Sequence, residues 1–192
     1  MPQSRNYITI VSGLPRSGTS MMMQILQAGG MPILADGLRE SDPDNPRGYL
    51  EFEPVKKLAT TRDWMPNALG KAVKIVHALL PSLPPGFPYR IILMRRDIRE
   101  VVASQRVMLE RNGKTGANLP DRRLAQLLTA DLQNAVALVK QNPDCRLLEI
   151  EHRHCLTETS RIAATVNSFL DNRLDEAKMT SAVDATLYRQ RL

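Results

Sequence analysis

The segment that most constrains the fold of this chain spans residues 13–20 and reads G-L-P-R-S-G-T-S. A short apolar run at residues 7–12 precedes it, and a methionine-rich apolar segment follows it. The spacing is that of a phosphate-binding loop, G-x-x-x-x-G-K-[ST], whose backbone N–H groups surround an anion at a helix N-terminus. Because such a loop joins a strand to a helix, the segment predicts a β-strand–loop–α-helix unit.

The loop departs from the common pattern at one position. Thr19 stands where nucleotide triphosphatases have the lysine that reaches the β- and γ-phosphates, and the basic residue of this loop is Arg16. The backbone of the loop can still bind an anion. The displaced cation therefore indicates a phosphoryl-like ligand other than a magnesium-bound triphosphate.

Alternation of apolar runs with amphipathic segments predicts the remaining elements. We expect strands at 7–12, 71–76, 90–95 and 146–151. We expect helices at 18–27, 53–64, 98–109, 121–141, 159–170 and 175–180. Asp121 is expected to cap its helix. One phosphate loop in a strand–helix alternation predicts a single domain over residues 1–192, a three-layer α/β/α sandwich with a central parallel sheet.

The charge of the chain favours an anionic ligand. The net charge is +6, and the basic residues are mostly arginines, which suit bidentate contact with phosphate or sulfate. A solvated basic surface would have the same charge. Nucleic acid is not an expected partner, because the sequence has no basic run and only 4% aromatic residues for base stacking.

The remaining composition predicts a cytoplasmic protein without a metal. No apolar run approaches the ~20 residues of a membrane span, and the N-terminal residues lack the apolar region of a signal peptide. Cys145 and Cys155 lack the spacing of a zinc site and are expected to be reduced structural thiols.

A second candidate anion-binding motif begins where the third predicted strand ends. Arg96 precedes Ser104 by eight residues, a rise of ~12 Å along a helix, so the arginine can fold toward the hydroxyl and both can hold one phosphate. Ligands of parallel sheets bind at this edge. The alternative is an ordinary exposed helix start, in which Asp97 merely complements the helix dipole.

Together the two motifs resemble the cytosolic-type sulfotransferase family. The loop G-x-P-R-S-G-T-[ST] follows the first strand, and R-x(7)-S comes about eighty residues later. In that family the first motif holds the 5′-phosphosulfate of 3′-phosphoadenosine 5′-phosphosulfate (PAPS), and the second holds its 3′-phosphate. The resemblance implies a 3′ site made by Arg96 and Ser104. It implies a 5′ site made by Arg16, Ser17, Gly18, Thr19 and Ser20.

The resemblance extends over most of the chain. Further segments similar to small bacterial members are G-Y-L-E at 48–51, K-I-V at 74–76, L-L-E-I-E at 147–151 and L-Y-R-Q-R at 187–191. One departure is the absence of the glycine-rich basic loop that many members carry near the C-terminus, for which Arg189 and Arg191 could substitute. The chain is short, so the acceptor pocket is either partly open or completed by a second subunit in a homodimer.

The resemblance leaves several candidates for the catalytic base. Sulfuryl transfer needs a base to take the acceptor proton and cations to stabilise the departing phosphate. Some members use a glutamate after the first helix, and Glu51 or Glu53 stands in that region. Others use a histidine in a K-x-H context, and His77 follows Lys74 with one extra residue between them. Lys74 itself could support the transferring group. An exposed loop carboxylate and an ordinary strand-end histidine are the alternatives.

Three functions are therefore compatible with the sequence. The first is a PAPS-dependent sulfotransferase acting without metal on an unidentified hydroxyl or amine. The second is a P-loop kinase of a small metabolite, which needs the lysine that Thr19 replaces and a magnesium carboxylate, for which Glu149 and Glu151 are weak candidates. The third is a non-catalytic nucleotide-binding module. The sequence assigns no role to His152 or His154.

Overall fold

A computed structural model describes residues 6–41, 45, 47–111, 113, 116 and 119–184. The strands in this part of the chain are β1 (Ile8–Gly13), β2 (Ala72–Lys74), β3 (Tyr89–Arg95) and β4 (Cys145–Glu151). The helices are α1 (Thr19–Ala28), α2 (Met65–Ala68), α3 (Ile98–Arg111), α4 (Asp121–Gln141), α5 (His152–Thr157), α6 (Thr159–Phe169) and α7 (Glu176–Ser181). Short 3₁₀ helices lie at Glu53–Lys57 and His77–Ser82.

The strands form one parallel sheet in the order β2-β1-β3-β4. Ile10 lies between Val73 of β2 and Ile91 of β3, and Ile91 pairs in turn with Leu147 of β4. All four strands therefore end at the same edge of the sheet. The chain leaves β1 toward β2 on one side and later returns to β3 on the other. A crevice at the ends of β1 and β3 results, which is where ligands of open α/β sheets bind.

Both faces of the sheet are buried. Because side chains alternate along a strand, Val11 and Ile92 face one hydrophobic core, whereas Ile10 and Ile91 face the other. The first core is completed by residues of α1, α6 and α7, and the second by residues of α2, α4 and the two 3₁₀ helices. This arrangement confirms the predicted three-layer α/β/α sandwich with a parallel sheet.

The prediction of one helix over residues 53–64 is wrong. The 3₁₀ helix ends at Lys57, and α2 begins only after Trp64. Pro54 and Pro66 lie in the first turns of these two elements, where the missing N–H of proline breaks no helical hydrogen bond. Of the expected helix, only the 3₁₀ helix at its start is formed, and α2 lies beyond its expected end.

Two further expectations need correction. Asp121 is not a cap, because α4 begins at that residue and the cap position belongs to Pro120. The Asp121 carboxylate instead forms an ion pair with Arg106 of α3.

Helix α5, directly after β4, was not predicted. Arg189 and Arg191 lie outside the described residues.

The two cysteines are free thiols, and burial raises the pKa of Cys155 to about 12. Within the described ranges, no helix combines the length and apolarity needed to cross a bilayer.

Candidate functional site

The loop between β1 and α1 has the backbone of an anion cradle. Gly13, Arg16 and Gly18 all have positive φ values, of 151°, 74° and 99°. A Cβ at Gly18 would overlap the ring of His152, so glycine is required both by the backbone conformation and by the close approach. A loop of this shape turns successive N–H groups toward one point. Arg16 is the non-glycine residue of this loop that adopts the left-handed region, a strained conformation that often marks a functional site.

Hydrogen bonds join the loop to α3. Arg16 Nε donates to Ser104 Oγ at 2.9 Å, and Arg96 Nη1 donates to the Arg16 carbonyl at 3.0 Å. Arg96 Nε also forms an ion pair with the carboxylate of Glu100 at 2.8 Å, in which both side chains are almost fully buried. The two predicted motifs are thus parts of one structure. The contact to Ser104 comes from Arg16, whereas the sequence suggested Arg96.

Lys74, at the end of β2, joins the loop helix to the following segment. Its Nζ donates to Ser20 Oγ at 3.0 Å and to the Tyr49 carbonyl, and lies 3.7 Å from Glu51 Oε1. Burial lowers the pKa of Lys74 to about 8, although the Glu51 carboxylate opposes this shift. The cationic form of Lys74 is therefore less stable than that of an exposed lysine.

Glu51 is held by Arg39 as well as by Lys74. Arg39 Nη1 lies 2.8 Å from Glu51 Oε1, and the Arg39 guanidinium stacks 3.4 Å from the centre of the Tyr49 ring. The nearby Glu53 is 54% exposed and pairs with Lys56 at 2.7 Å, so it lies nearer to solvent than Glu51, which is 29% exposed. Of these two carboxylates, Glu51 is the one beside a buried cation.

A cavity of about 420 Å³ opens at this edge of the sheet. The sequence-predicted residues that line it are Arg16, Gly18, Thr19, Ser20, Glu51, Glu53, Lys74 and Arg96. Ser17 and Ser104 are buried and are not among its lining residues. The Ser17 hydroxyl has no hydrogen-bond partner among the residues that the structure describes.

His77 does not reach the cavity lining. It starts the second 3₁₀ helix and is buried, with Nε2 3.9 Å from Oδ2 of Asp131 on α4. Burial lowers the pKa of His77, against smaller opposing effects of the Gly13 backbone and of Asp131. The ring is therefore neutral at pH 7 and belongs to the packing between the sheet and α4.

His152 is one of the lining residues that the sequence did not reveal. It begins α5, is buried, and packs against Gly18 of the loop. Burial, and after it the charge of Arg96, lowers the pKa of His152 to about 4, so its ring is neutral at pH 7. Its position directly after β4 could have placed it at the site, because all parallel strands end at the edge of the sheet that carries the loop.

The cavity offers cations and one well-placed carboxylate. In the described part of the chain, no group of three His, Cys, Asp or Glu side chains is arranged to hold a metal ion. The site can thus bind a multiply charged anion through Arg16, Lys74 and Arg96, with Glu51 available to accept a proton.

Comparison with known proteins identifies the type of fold. No family model matches the sequence, and no curated protein matches it significantly. Retinol dehydratase, in complex with androsterone and the inactive cofactor PAP, superposes with a TM-score of 0.55 at 17% identity, over 95% of this chain and 64% of that one. The sulfotransferase domain from the curacin biosynthetic pathway superposes with a TM-score of 0.52 at 17% identity, over 93% of this chain and 78% of that one.

These similarities show that the chain has the α/β fold of these two structures, which confirms the predicted sulfotransferase-like fold. This chain spans less than two thirds of the retinol dehydratase chain. A sugar kinase from Janibacter superposes with a TM-score of 0.41 at 14% identity, over 90% of this chain and 98% of that one, which is too low to bear on fold or function.

Proposed function

We propose that this chain is a sulfotransferase that moves a sulfuryl group from PAPS to an acceptor hydroxyl or amine. The observation that carries the proposal is the hydrogen bond from Arg16 to Ser104 at 2.9 Å, which joins the two candidate anion motifs into one site. The sulfotransferase-type fold supports the same conclusion.

The residues present fit a nucleotide with a 5′-phosphosulfate and a 3′-phosphate. Gly18 lets the loop pack directly on the His152 ring, where a Cβ would overlap, and the buried Ser17 hydroxyl lacks a partner within the described residues. The loop from Arg16 to Ser20 would hold the 5′ side. Ser104 accepts a hydrogen bond from Arg16, and its own hydroxyl proton would donate to a 3′-phosphate that enters between it and Arg96.

The chemistry assigns one role to each side chain. The acceptor oxygen forms a bond to sulfur, the bond from sulfur to the bridging oxygen breaks, and adenosine 3′,5′-bisphosphate (PAP) leaves with that oxygen. Glu51 takes the acceptor proton. Arg16 and Lys74 stabilise the negative charge that develops during transfer. Glu53 is an exposed second choice as the base, and His77 is not favoured because it lies outside the cavity lining.

A P-loop kinase is the disfavoured alternative. Its magnesium carboxylate would be Glu149 or Glu151, but neither lines the cavity, and Glu149 pairs with Lys140 at 3.2 Å and with Arg95 at 3.8 Å. The presence of Glu51 beside Lys74 favours an enzyme over a non-catalytic module. A cytoplasmic location, a single domain and a homodimer that completes the acceptor site stay predictions.

The test is a binding comparison followed by a transfer assay. Calorimetry with PAP, and with ATP plus magnesium, should show tight binding of PAP that excess chelator leaves unchanged. Labelled PAPS should then transfer its sulfuryl group to at least one acceptor in a panel of alcohols, sugars and amines. Glu51→Gln should bind PAP normally and transfer nothing, whereas Glu149→Gln should behave as wild type. Preferential binding of magnesium–ATP would favour the kinase, and PAP binding without transfer would favour the module.

A further inference from the structure

One wall of the cavity is apolar, and we call it the aliphatic wall. Its residues are Leu14, Phe52, Val55, Ile75, Val76 and Leu79. All except Val76 belong to, or pack against, the hydrophobic core formed with α2 and α4. Val76, two residues beyond the end of β2 and directly before the second 3₁₀ helix, is 41% exposed. Leu14, Val55 and Ile75 are at most 5% exposed, so the surface that the wall offers comes from Phe52, Val76 and Leu79. An apolar surface that opens into a cavity favours an apolar occupant.

The aliphatic wall adjoins the groups proposed to act in transfer. Phe52 directly follows Glu51 in the chain, and Ile75 directly follows Lys74. Leu14 lies in the same loop as Arg16. An acceptor with its hydroxyl at Glu51 therefore has its body within reach of this wall.

The polar groups of the rim do not favour an anionic acceptor. Arg39 pairs with Glu51 at 2.8 Å, and Lys56 pairs with Glu53 at 2.7 Å. Arg47 of the same rim pairs with a carboxylate as well, at 3.3 Å. Each of these cations is thus compensated by the protein itself. A charged group on the acceptor would have to break one of these ion pairs.

Sugars and phenols fit the wall less well than alkyl chains. A sugar would lay hydroxyl groups against aliphatic side chains, where they lose water without gaining hydrogen bonds. The aromatic ring of the wall, Phe52, already makes an edge-to-face contact with Trp64, with ring centres 5.5 Å apart. The remaining wall residues are aliphatic.

We infer that the acceptor of this enzyme is an uncharged aliphatic alcohol whose alkyl body lies on the aliphatic wall. This inference rests on the proposed function. The product would be an alkyl sulfate, with the new bond between the alcohol oxygen and sulfur, the hydroxyl proton on Glu51 and PAP as the leaving group.

The chain contains its own reporter for this surface. Trp64 is the single tryptophan of the sequence and contacts Phe52. Its fluorescence should change when alkan-1-ols from butanol to decanol are titrated into the PAP-saturated protein. Affinity should rise about threefold to fourfold for each added methylene, as expected for transfer of a methylene group from water to an apolar surface. In the transfer assay, decanol should be a better acceptor than glucose or phenol.

Two variants distinguish alcohol binding at the aliphatic wall from nucleotide binding. Val76→Asp places a charge on an exposed wall residue, so it should reduce decanol affinity at least tenfold and leave PAP affinity unchanged. Leu127→Asp is the control, because Leu127 is 44% exposed on α4 and does not line the cavity. It should leave both affinities unchanged.

The outcomes distinguish the inference from the function on which it rests. If PAP binds and glucose is sulfated in preference to decanol, the function stands and the inference is wrong. A fluorescence response that does not depend on chain length would also contradict the inference. If alkanols bind but neither PAP binding nor transfer occurs, the proposed function fails, and the aliphatic wall is not an acceptor site.

Discussion

Arg16 Nε lies 2.9 Å from Ser104 Oγ, in a hydrogen bond between residues 88 positions apart in the chain. It fixes the cation of the phosphate loop to α3 while the Arg16 backbone adopts a φ of 74°. The guanidinium is thus held in place before any ligand arrives. Preorganised charge of this kind stabilises a transition state without a cost for reorganisation.

Arg16→Ala should therefore reduce turnover strongly. The loss of one preorganised electrostatic donor is typically about 10²–10³-fold in kcat. Arg16→Lys should recover part of the rate, because a charge remains but the planar fork of donors is lost. Both rates would be measured with labelled PAPS after thermal melts show that the variants are folded. Wild-type turnover in Arg16→Ala would mean that the active site lies elsewhere.

Arg96→Ala should weaken the binding of nucleotides that carry a 3′-phosphate and spare those that do not. Loss of a charged hydrogen bond of ~1.5–3 kcal/mol should weaken PAP binding roughly ten- to a hundredfold and AMP binding much less. Calorimetry on both nucleotides measures the difference. Arg99→Ala is the matched control, because Arg99 lies only three residues after Arg96, is 72% exposed and pairs with Asp97. An equal loss for PAP and AMP would contradict the assignment.

The pH dependence of activity should follow the protonation of Lys74. Its pKa is lowered to about 8 in the free protein, mainly by burial, and the proposed role needs its charged form. The value of kcat/KM, which reflects the free enzyme, should fall as the pH rises through about 8. Lys74→Arg should remove this decline, since arginine stays protonated in this range. A pH profile unchanged in Lys74→Arg would assign the decline to another group.

The same shift predicts how stability varies with pH. The unfolded chain has the ordinary lysine pKa of 10.5, so between about pH 8 and 10.5 it binds more protons at Lys74 than the native state does. The contribution of Lys74 to the free energy of unfolding should therefore rise with pH across this window and be constant below it. Urea titrations at several pH values would detect the rise, which Lys74→Met should abolish.

Gly18→Ala should damage both stability and binding. The residue has a φ of 99°, and an added Cβ would overlap the ring of His152. Backbone strain of this kind is worth ~1–3 kcal/mol, which urea unfolding would measure. The double variant Gly18→Ala/His152→Ala should recover the part due to the overlap but not the part due to φ. Full recovery in the double variant would show that backbone strain contributes nothing.

Local sequence predicts the strands and the loop well for physical reasons. Short apolar runs suit strands buried on both faces, and the spacing from Gly13 to Gly18 specifies the loop. Because parallel strands end at one edge, the motif after β3 was expected at the edge where ligands bind, near the loop that follows β1. Arg16 and Arg96 do line one cavity, as this reasoning requires.

The parts that sequence reasoning missed depend on contacts between distant or aperiodic segments. Arg39 stacks on Tyr49 and pairs with Glu51 from a segment that has no helical or strand pattern. His152 follows β4 in a helix of six residues, which is too short to produce a periodicity. Which of Arg16 and Arg96 contacts Ser104 is decided by the course of the loop backbone, and residue spacing does not determine it.

The parallel sheet has a consequence for any measurement of ligand affinity. Its strands pair residues far apart in sequence, such as Thr9 with Ala72 and Ile91 with Leu147. No short fragment can hold the loop and α3 in register, so the site exists only when the whole sheet has formed. A ligand at a hundred times its Kd then stabilises the entire unit by about 2.7 kcal/mol. Conversely, a substitution that unfolds a fraction of the molecules lowers apparent nucleotide affinity even when it lies far from the cavity.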